Sequence, residues 1–321
     1  MAATGTIWVL GGGLIGCGWA AAFAGAGHAV VVIDPDPAVA GRLAQVQAQA
    51  RPVLCGLGTL TPGATIPRHA ASMAEAGAAP VLVQECLPER LDLKRAALAG
   101  LEPHLAADTI IASSSSGLSP DDMAEGLAHP ERLLIAHPCN PPYLMPVVEL
   151  SGGAATTPAV VERARALYAA MGKTVLVLAR PVPGHLVNRL QAALWREAVH
   201  LAAEGVASLG DIERAVTEGL APRWCCVGPS TVFHLAGADG GIGRFVDALG
   251  PEFERWWATL GAPRLDDATR ARLVEGMDTA DPRPVAEIAA ARDAALTQLM
   301  VFLAKKEADP RNDTTPGGNQ G

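Results

Sequence analysis

The chain has no disulfide framework, no basic run and no long apolar segment, and each absence removes a class of protein. Its six cysteines are Cys17, Cys55, Cys86, Cys139, Cys225 and Cys226, and they show no framework spacing. Two are adjacent and no Cys-x-x-Cys occurs, so free thiols in a reducing compartment are expected, with no metal site. The net charge is −8 without any Lys/Arg cluster, which argues against nucleic acid or an anionic membrane as partner. No uninterrupted apolar stretch reaches the ~20 residues that a membrane-spanning helix needs. The first expected strand begins at Thr6, which leaves no room for a secretory leader, so a cytoplasmic location is expected.

Half of the 321 residues are hydrophobic and only 18% are charged, enough for two domains with ample cores. The most informative stretch comes first. Thr6 to Leu10 reads T-I-W-V-L, an apolar run of β-formers, and G-G-G-L-I-G follows at once. A small-residue helix from Cys17 to Gly27 and a second apolar strand, Ala29 to Ile33, come next, and that strand ends in Asp34. A Gly-x-Gly-x-x-Gly turn with a strand before it, a helix after it and an acid at the next strand's end has the context of a dinucleotide site. Gly11 permits the tight turn, Gly13 lets backbone approach a pyrophosphate, and Gly16 lets helix and strand pack closely. Leu14 and Ile15 lie in this turn, where free N–H groups and partial positive charge would face the phosphates. Asp34 would accept from the adenosine ribose hydroxyls and repel a 2′-phosphate, so NAD is expected over NADP. Pro35, Asp36 and Pro37 follow it, with no arginine close enough to suggest an NADP site.

Downstream, helices are expected at Ala38–Gln49, around His69–Glu75 and at Leu91–Leu101. Strands are expected at Pro80–Gln84, Thr109–Ala112, Leu133–Ala136, Val147–Leu150 and Thr174–Leu178, with a helix at Pro158–Met171 before the last. Residues 51–68 read as a looser Gly/Pro-rich stretch. This alternation predicts an α/β Rossmann-type domain over residues 1–181, its mostly parallel sheet covered on both faces. After Pro183 no strand signal recurs. One long helix is expected at Gly184–Gly205, a second at Asp211–Gly219, and pieces at Phe233–Ala236, Gly243–Leu249 and Pro251–Leu260. A last long helix is expected at Pro284–Lys305, making an all-α domain over residues 182–307. Residues 308–321 have no apolar content, so a disordered tail is expected.

Three of the expected strands end in polar groups: Ser113 to Ser116, His137 in A-H-P-C-N-P-P-Y, and Glu149 in P-V-V-E-L. In an open α/β sheet ligands sit outside the strands' C-terminal ends, so these groups are candidates to converge. A histidine backed by a carboxylate suits removal of a hydroxyl proton, because the carboxylate fixes the tautomer and stabilises the imidazolium. Plainer readings stand beside this one: a satisfied strand-end histidine, an exposed strand terminus, a helix-capping serine loop, and a polar surface residue at Asn188.

The runs S-S-S-S-G-L-S-P, A-H-P-C-N-P-P-Y-L-M-P-V-V-E-L and P-G-H-L-V-N-R-L resemble the 3-hydroxyacyl-CoA dehydrogenase family. V-Q-E-C-L-P-E-R-L-D-L-K and G-L-A-P-R-W are similar to its short branch, which contains lambda-crystallin and bacterial carnitine dehydrogenases. The resemblance spans about Thr6 to Lys305. It implies a Rossmann-type domain followed by a helical dimerisation domain, and a catalytic pair at His137 and Glu149. It implies substrate-oxygen donors at Ser116 and Asn188. NAD contacts are implied at Gly11, Gly13, Gly16, Asp34, Glu89 and Lys94, with Asn140 beside the nicotinamide. Residues 51–68 are short where acyl-CoA enzymes carry a helical hairpin with CoA contacts, which argues against CoA.

The leading expectation is therefore NAD-dependent oxidation of a small free L-3-hydroxy acid, gulonate-like or 3-hydroxybutyrate-like. A 3-hydroxyacyl-CoA dehydrogenase and a carnitine dehydrogenase are the alternatives, the latter with aromatics such as Trp224, Phe233, Trp256 and Trp257 around the ammonium. A catalytically silent NAD-binding protein is disfavoured by the intact set of Ser116, His137, Glu149 and Asn188. Arg223, in P-R-W, is the candidate for holding a substrate carboxylate. A homodimer is expected, because the first long helix of the second domain is apolar over more than one face.

Overall fold

The computed structural model describes residues Gly5 to Glu307; the tail expected to be disordered, 308–321, lies outside the described residues. Eight strands make one sheet: β1 (Thr6–Leu10), β2 (Ala29–Ile33), β3 (Arg68–Ala70), β4 (Leu82–Glu85), β5 (Ile110–Ser113), β6 (Leu133–Pro138), β7 (Val147–Gly152) and β8 (Thr174–Val177). Their spatial order is β3-β2-β1-β4-β5-β6-β7-β8. All neighbours run parallel except β6 and β7, which pair antiparallel with His137 opposite Glu149. The inner strands are nearly continuous apolar runs, as a sheet covered on both faces requires.

One face carries α1 (Leu14–Gly25), α2 (Val39–Gly56) and α6 (Pro158–Ala170). Trp19, Phe23 and Tyr168 form its centre, with ring centroids 5.2 Å apart for Trp19–Phe23 and 5.4 Å for Trp19–Tyr168. The other face carries α3 (Met73–Ala76), α4 (Leu91–Leu101) and α5 (Pro120–Ala124), packed through Ala76, Leu98, Leu101 and Met123. Burial of each large side chain contributes about 1.5–3 kcal/mol. This rigid layer sets where the strand ends lie.

The remaining helices are α7 (Val187–Ala203), α8 (Leu209–Arg214), α9 (Ala221–Trp224), α10 (Pro229–Ala236), α11 (Gly241–Thr259), α12 (Asp267–Ala280) and α13 (Val285–Glu307), with a π-helical turn at Ala215–Leu220. The chain divides into two units. One runs to Asn188 and resumes at Ala290; the other comprises Arg189–Ala289. The second unit is helical, and its aromatic core is Phe233, Phe245 and Phe253, with centroids 4.8–5.4 Å apart.

Local sequence rules miscarried at five places. Strand β3 was missed because its three residues, R-H-A, carry one apolar side chain on the sheet edge. Helices α2 and α11 both run through a proline, Pro52 and Pro251, where a break was expected. Burial of Leu54 in the one and ring packing by Phe253 in the other outweigh one lost backbone bond. Helix α12 was missed altogether, although Asp266 caps it through Thr269 N at 2.9 Å. The helix expected from Gly184 starts only at Val187, because Gly184 and His185 have left-handed backbones, φ +78° and +50°.

Beneath the sheet's C-terminal end lies a buried ion pair. Lys94 Nζ donates to both oxygens of Glu85 at 2.8 and 2.9 Å and to Leu87 O at 3.1 Å. Both side chains are essentially inaccessible. Lys94→Met should therefore destabilise the protein by about 3–5 kcal/mol, since it strands a buried carboxylate. Adding Glu85→Leu should recover much of that loss. Urea denaturation of the two variants measures it; a single variant as stable as the wild type would contradict the pairing.

Candidate active site

The glycine turn fits a dinucleotide. Gly11 has φ +100°, and a Cβ there would lie 2.8 Å from Cys86 O. A Cβ on Gly16 would lie 1.9 Å from Gly11 O, so only glycine lets α1 pass so close to β1. Above Gly13 there is open space, and the first turn of α1 has no side-chain cap, so its N–H groups remain available to phosphate oxygens. Leu14 beside it is exposed and Ile15 half-buried.

Asp34 stands at the end of β2. Its Oδ2 accepts from Gly12 N at 2.7 Å and its Oδ1 from Asp36 N at 2.9 Å. The carboxylate thus braces the turn and retains lone pairs for ribose hydroxyls. Contrary to the sequence reading, an arginine is close by: Arg42 on α2 donates to Gly12 O at 2.7 Å. Its other nitrogen is 3.7 Å from Asp36. That carboxylate and the Gly12 carbonyl engage the guanidinium from two sides.

The second cluster lies in the same unit. Because β6 and β7 are antiparallel in this register, His137 and Glu149 are cross-strand neighbours and project to one face. His137 Nδ1 lies 2.9 Å from Glu149 Oε2. A carboxylate only accepts, so Nδ1 carries the proton and Nε2 presents its lone pair. Ser116 Oγ is 3.0 Å and Asn188 Nδ2 3.5 Å from that Nε2. The other Glu149 oxygen, Oε1, accepts from Leu186 N at 2.7 Å and Val187 N at 3.0 Å, at the start of α7. Glu149 is fully buried and His137 nearly so. Burial pushes the His137 imidazole below its ordinary value, and the Glu149 hydrogen bond offsets part of that.

The four serines have separate jobs. Ser113 donates to Glu85, and Ser114 Oγ accepts from Gln84 Nε2 at 2.9 Å and Trp19 Nε1 at 3.2 Å. Ser115 donates to Glu89 Oε1 at 2.6 Å; only Ser116 reaches the histidine. Glu89, expected among the cofactor contacts, clamps this loop through the N–H groups of Ser116, Gly117 and Leu118 at 2.7–3.3 Å. Burial alone would raise its carboxyl, but these bonds and Lys94 hold it below the usual range.

Lys94, expected among the cofactor contacts, donates to Glu85 and Leu87 and lies 3.6 Å from Glu89 Oε2. Asn140 is exposed just beyond β6. Arg223 is exposed on α9, in the other unit, and donates to Gly219 O at 3.1 Å. Phe233, named as an aromatic candidate, is committed to packing on Phe245 and Phe253. The sequence reading overlooked His185, whose ring centroid is 4.8 Å from that of His137. Its only signal was its place in P-G-H-L-V-N-R.

Comparison with known proteins agrees with this layout. Residues 6–181 match the model of the 3-hydroxyacyl-CoA dehydrogenase NAD-binding domain, and residues 184–272 match that of its C-terminal domain. The L-carnitine dehydrogenase of Streptomyces griseus subsp. griseus is 44% identical over 91% of this chain and 88% of its own. That of Streptomyces coelicolor is 42% identical over 91% and 92%. Among solved structures, a 5-formyl-3-hydroxy-2-methylpyridine 4-carboxylic acid 5-dehydrogenase, an NAD+-dependent dismutase, superposes with a TM-score of 0.80 at 26% identity. The match covers 95% of this chain and 98% of that one.

The Asp34 geometry has a measurable consequence. Asp34→Ala should cost NAD about tenfold to 150-fold in kcat/KM, the equivalent of ~1.5–3 kcal/mol for hydrogen bonds to a charged group. NADP should lose less, so the preference narrows. Steady-state kinetics with both cofactors reads this; an unchanged NAD/NADP ratio would show that Asp34 does not discriminate.

Proposed function

The chain belongs to the 3-hydroxyacyl-CoA dehydrogenase family and is an NAD-dependent dehydrogenase acting on CH–OH; within that family we propose that it oxidises L-carnitine at its 3-hydroxyl. The observation that carries this reading is the similarity along the whole chain to L-carnitine dehydrogenases, 37–44% identical. It takes the place of the gulonate-like or hydroxybutyrate-like acid expected from sequence alone. Between the end of α2 at Gly56 and β3 at Arg68 there is no helix, so the hairpin associated with CoA contacts is absent from these residues.

In the proposed reaction, His137 Nε2 takes the hydroxyl proton while the C3 hydrogen leaves with its electron pair. NAD, when bound, supplies the acceptor for that hydride. Glu149 holds the His137 ring and stabilises its positive charge as the proton arrives. Ser116 Oγ and Asn188 Nδ2, already directed at Nε2, hold the oxygen as it changes from alcohol to ketone. In the reverse direction the same proton returns from His137 to the ketone.

L-Carnitine carries a carboxylate and a quaternary ammonium, and the ammonium offers no hydrogen-bond donor. Arg223 is the candidate for the carboxylate, since guanidinium pairs with it through two parallel bonds. Trp224, Trp256 and Trp257 keep exposed rings that suit a cation. The helical unit also leaves Leu190, Trp195, Val246 and Leu249 exposed, which supports a homodimer built on it.

A substrate panel and one substitution test this reading. In a panel followed by NADH absorbance, L-carnitine should exceed L-gulonate, 3-hydroxybutyrate and 3-hydroxybutyryl-CoA in kcat/KM. Arg223→Ala should lower the carnitine value by about tenfold to 150-fold and leave NAD affinity alone. A CoA thioester outperforming every free acid would refute the assignment.

His137→Ala should lower turnover by about 10²–10⁴-fold with NAD still bound. Because burial favours neutral imidazole, the rate of oxidation should fall only below pH ~6.5, the ordinary histidine value. An acid limb above pH 7 would contradict the assignment of His137 as base. Sedimentation at micromolar concentration should give a dimer; a monomer would count against the pairing.

A further inference from the structure

His185 is not required by the glycine turn or by the pairing of His137 with Glu149, yet the structure holds it tightly. It is only 3% exposed. Its backbone is left-handed, φ +50°, directly after Gly184 at φ +78°, a conformation that a side chain with a Cβ seldom adopts. Its Nε2 lies 3.0 Å from Ser115 O. A carbonyl only accepts, so Nε2 carries the proton and Nδ1 is left as an acceptor. That Nδ1 is buried with no partner. The ring lies over His137, centroids 4.8 Å apart and planes tilted by 40°.

These contacts join the parts of the site. Gly184 N donates to Ser116 O at 2.9 Å, and Leu186 N and Val187 N donate to Glu149. His185 sits between these bonds, fastening the serine loop to the start of α7 and covering one face of His137.

We propose that His185 is a positioning residue for His137: it fixes the plane of the ring and ties Ser116 to the segment that carries Asn188. The proposal rests on His137 being the proton acceptor. The groups bearing on His137 act in both directions. Burial lowers its proton affinity most, while the Glu149 hydrogen bond and the charges of Glu149 and Glu89 raise it. A base held this way accepts the substrate proton and gives it back readily, as a reversible dehydrogenation requires.

Two substitutions of His185 test the proposal in the full-length protein with NAD bound. His185→Asn tolerates the left-handed backbone and keeps an N–H for Ser115 O, but removes the covering ring. His185→Phe keeps the ring face and removes the donor. Titration of carbon-labelled histidine rings by NMR should show the His137 midpoint rising by about half a unit in the Asn variant, where losing the cover relieves the burial that lowers it, and little change in the Phe variant. The acid limb of kcat/KM should rise with it. At pH 8, kcat should fall about fivefold in the Phe variant, the loss of one neutral hydrogen bond, and less in the Asn variant. If the Phe variant does not fold, the Asn variant decides alone. An unmoved His137 midpoint in the folded Asn variant, or a rate loss uniform across pH, overturns the proposal. A midpoint that moves while the rate limb stays put shows the two rings coupled as described, and removes His137 from the role of base.

Discussion

A single buried carboxylate holds the proposed catalytic site together. Glu149 has no solvent exposure, so both its oxygens must be paired within the protein. One oxygen takes the Nδ1 proton of His137; the other takes the N–H groups of Leu186 and Val187. The charge therefore sets the tautomer of the histidine and anchors the helix that brings Asn188 to the same ring. Removing either set of donors would leave an unpaired buried charge, so the site and the helix start are stabilised by one interaction. The charge also lies at the N-terminus of α7, where the helix dipole favours it.

This depends on one reversal in the sheet. Six strands, β1 to β6, run the same way and gather polar side chains at their C-terminal ends; β7 and β8 run the other way, and the antiparallel step between β6 and β7 puts Glu149, the third residue of β7, directly across from His137. In a wholly parallel sheet Glu149 would not face His137 in this register. The serine loop after β5 closes the third side, held by Glu89 through backbone N–H groups while Ser116 keeps its hydroxyl for the histidine. Glu89 and Lys94, both expected to touch the cofactor, also support this loop. Glu89 shapes the loop, and Lys94 neutralises Glu85 beneath it. The proposed specificity for a zwitterionic hydroxy acid rests on the similarity to L-carnitine dehydrogenases; Arg223 and the exposed tryptophans of the helical unit are the groups proposed to serve it.

Much of this was legible in the residues themselves. The first strand, the glycine turn, Asp34 and the alternation of strands and helices follow from short-range chemistry: β-formers, left-handed glycine, apolar runs of strand length. His137, Glu149, Ser116 and Asn188 could be named, because strand ends and a shared motif marked them. Local rules failed where packing outvoted them. Pro52 and Pro251 lie inside helices that continue past them, with Leu54 buried in the one and Phe253 packed on Phe233 and Phe245 in the other, and β3 forms on three residues because a neighbouring strand offers its edge.

The sequence by itself determined the dinucleotide turn, the class of fold and the chemical kinds of residue at the strand ends, since each depends on neighbours a few positions apart. Only the tertiary structure decided that Lys94 pairs with Glu85, that Arg42 reaches back to Gly12, and that His185 lies over His137. Those outcomes rest on burial and on partners from nine to nearly fifty residues away. Long-range pairing leaves no periodic trace in the chain, because the cost of an unpaired buried group is felt only once the fold has closed around it.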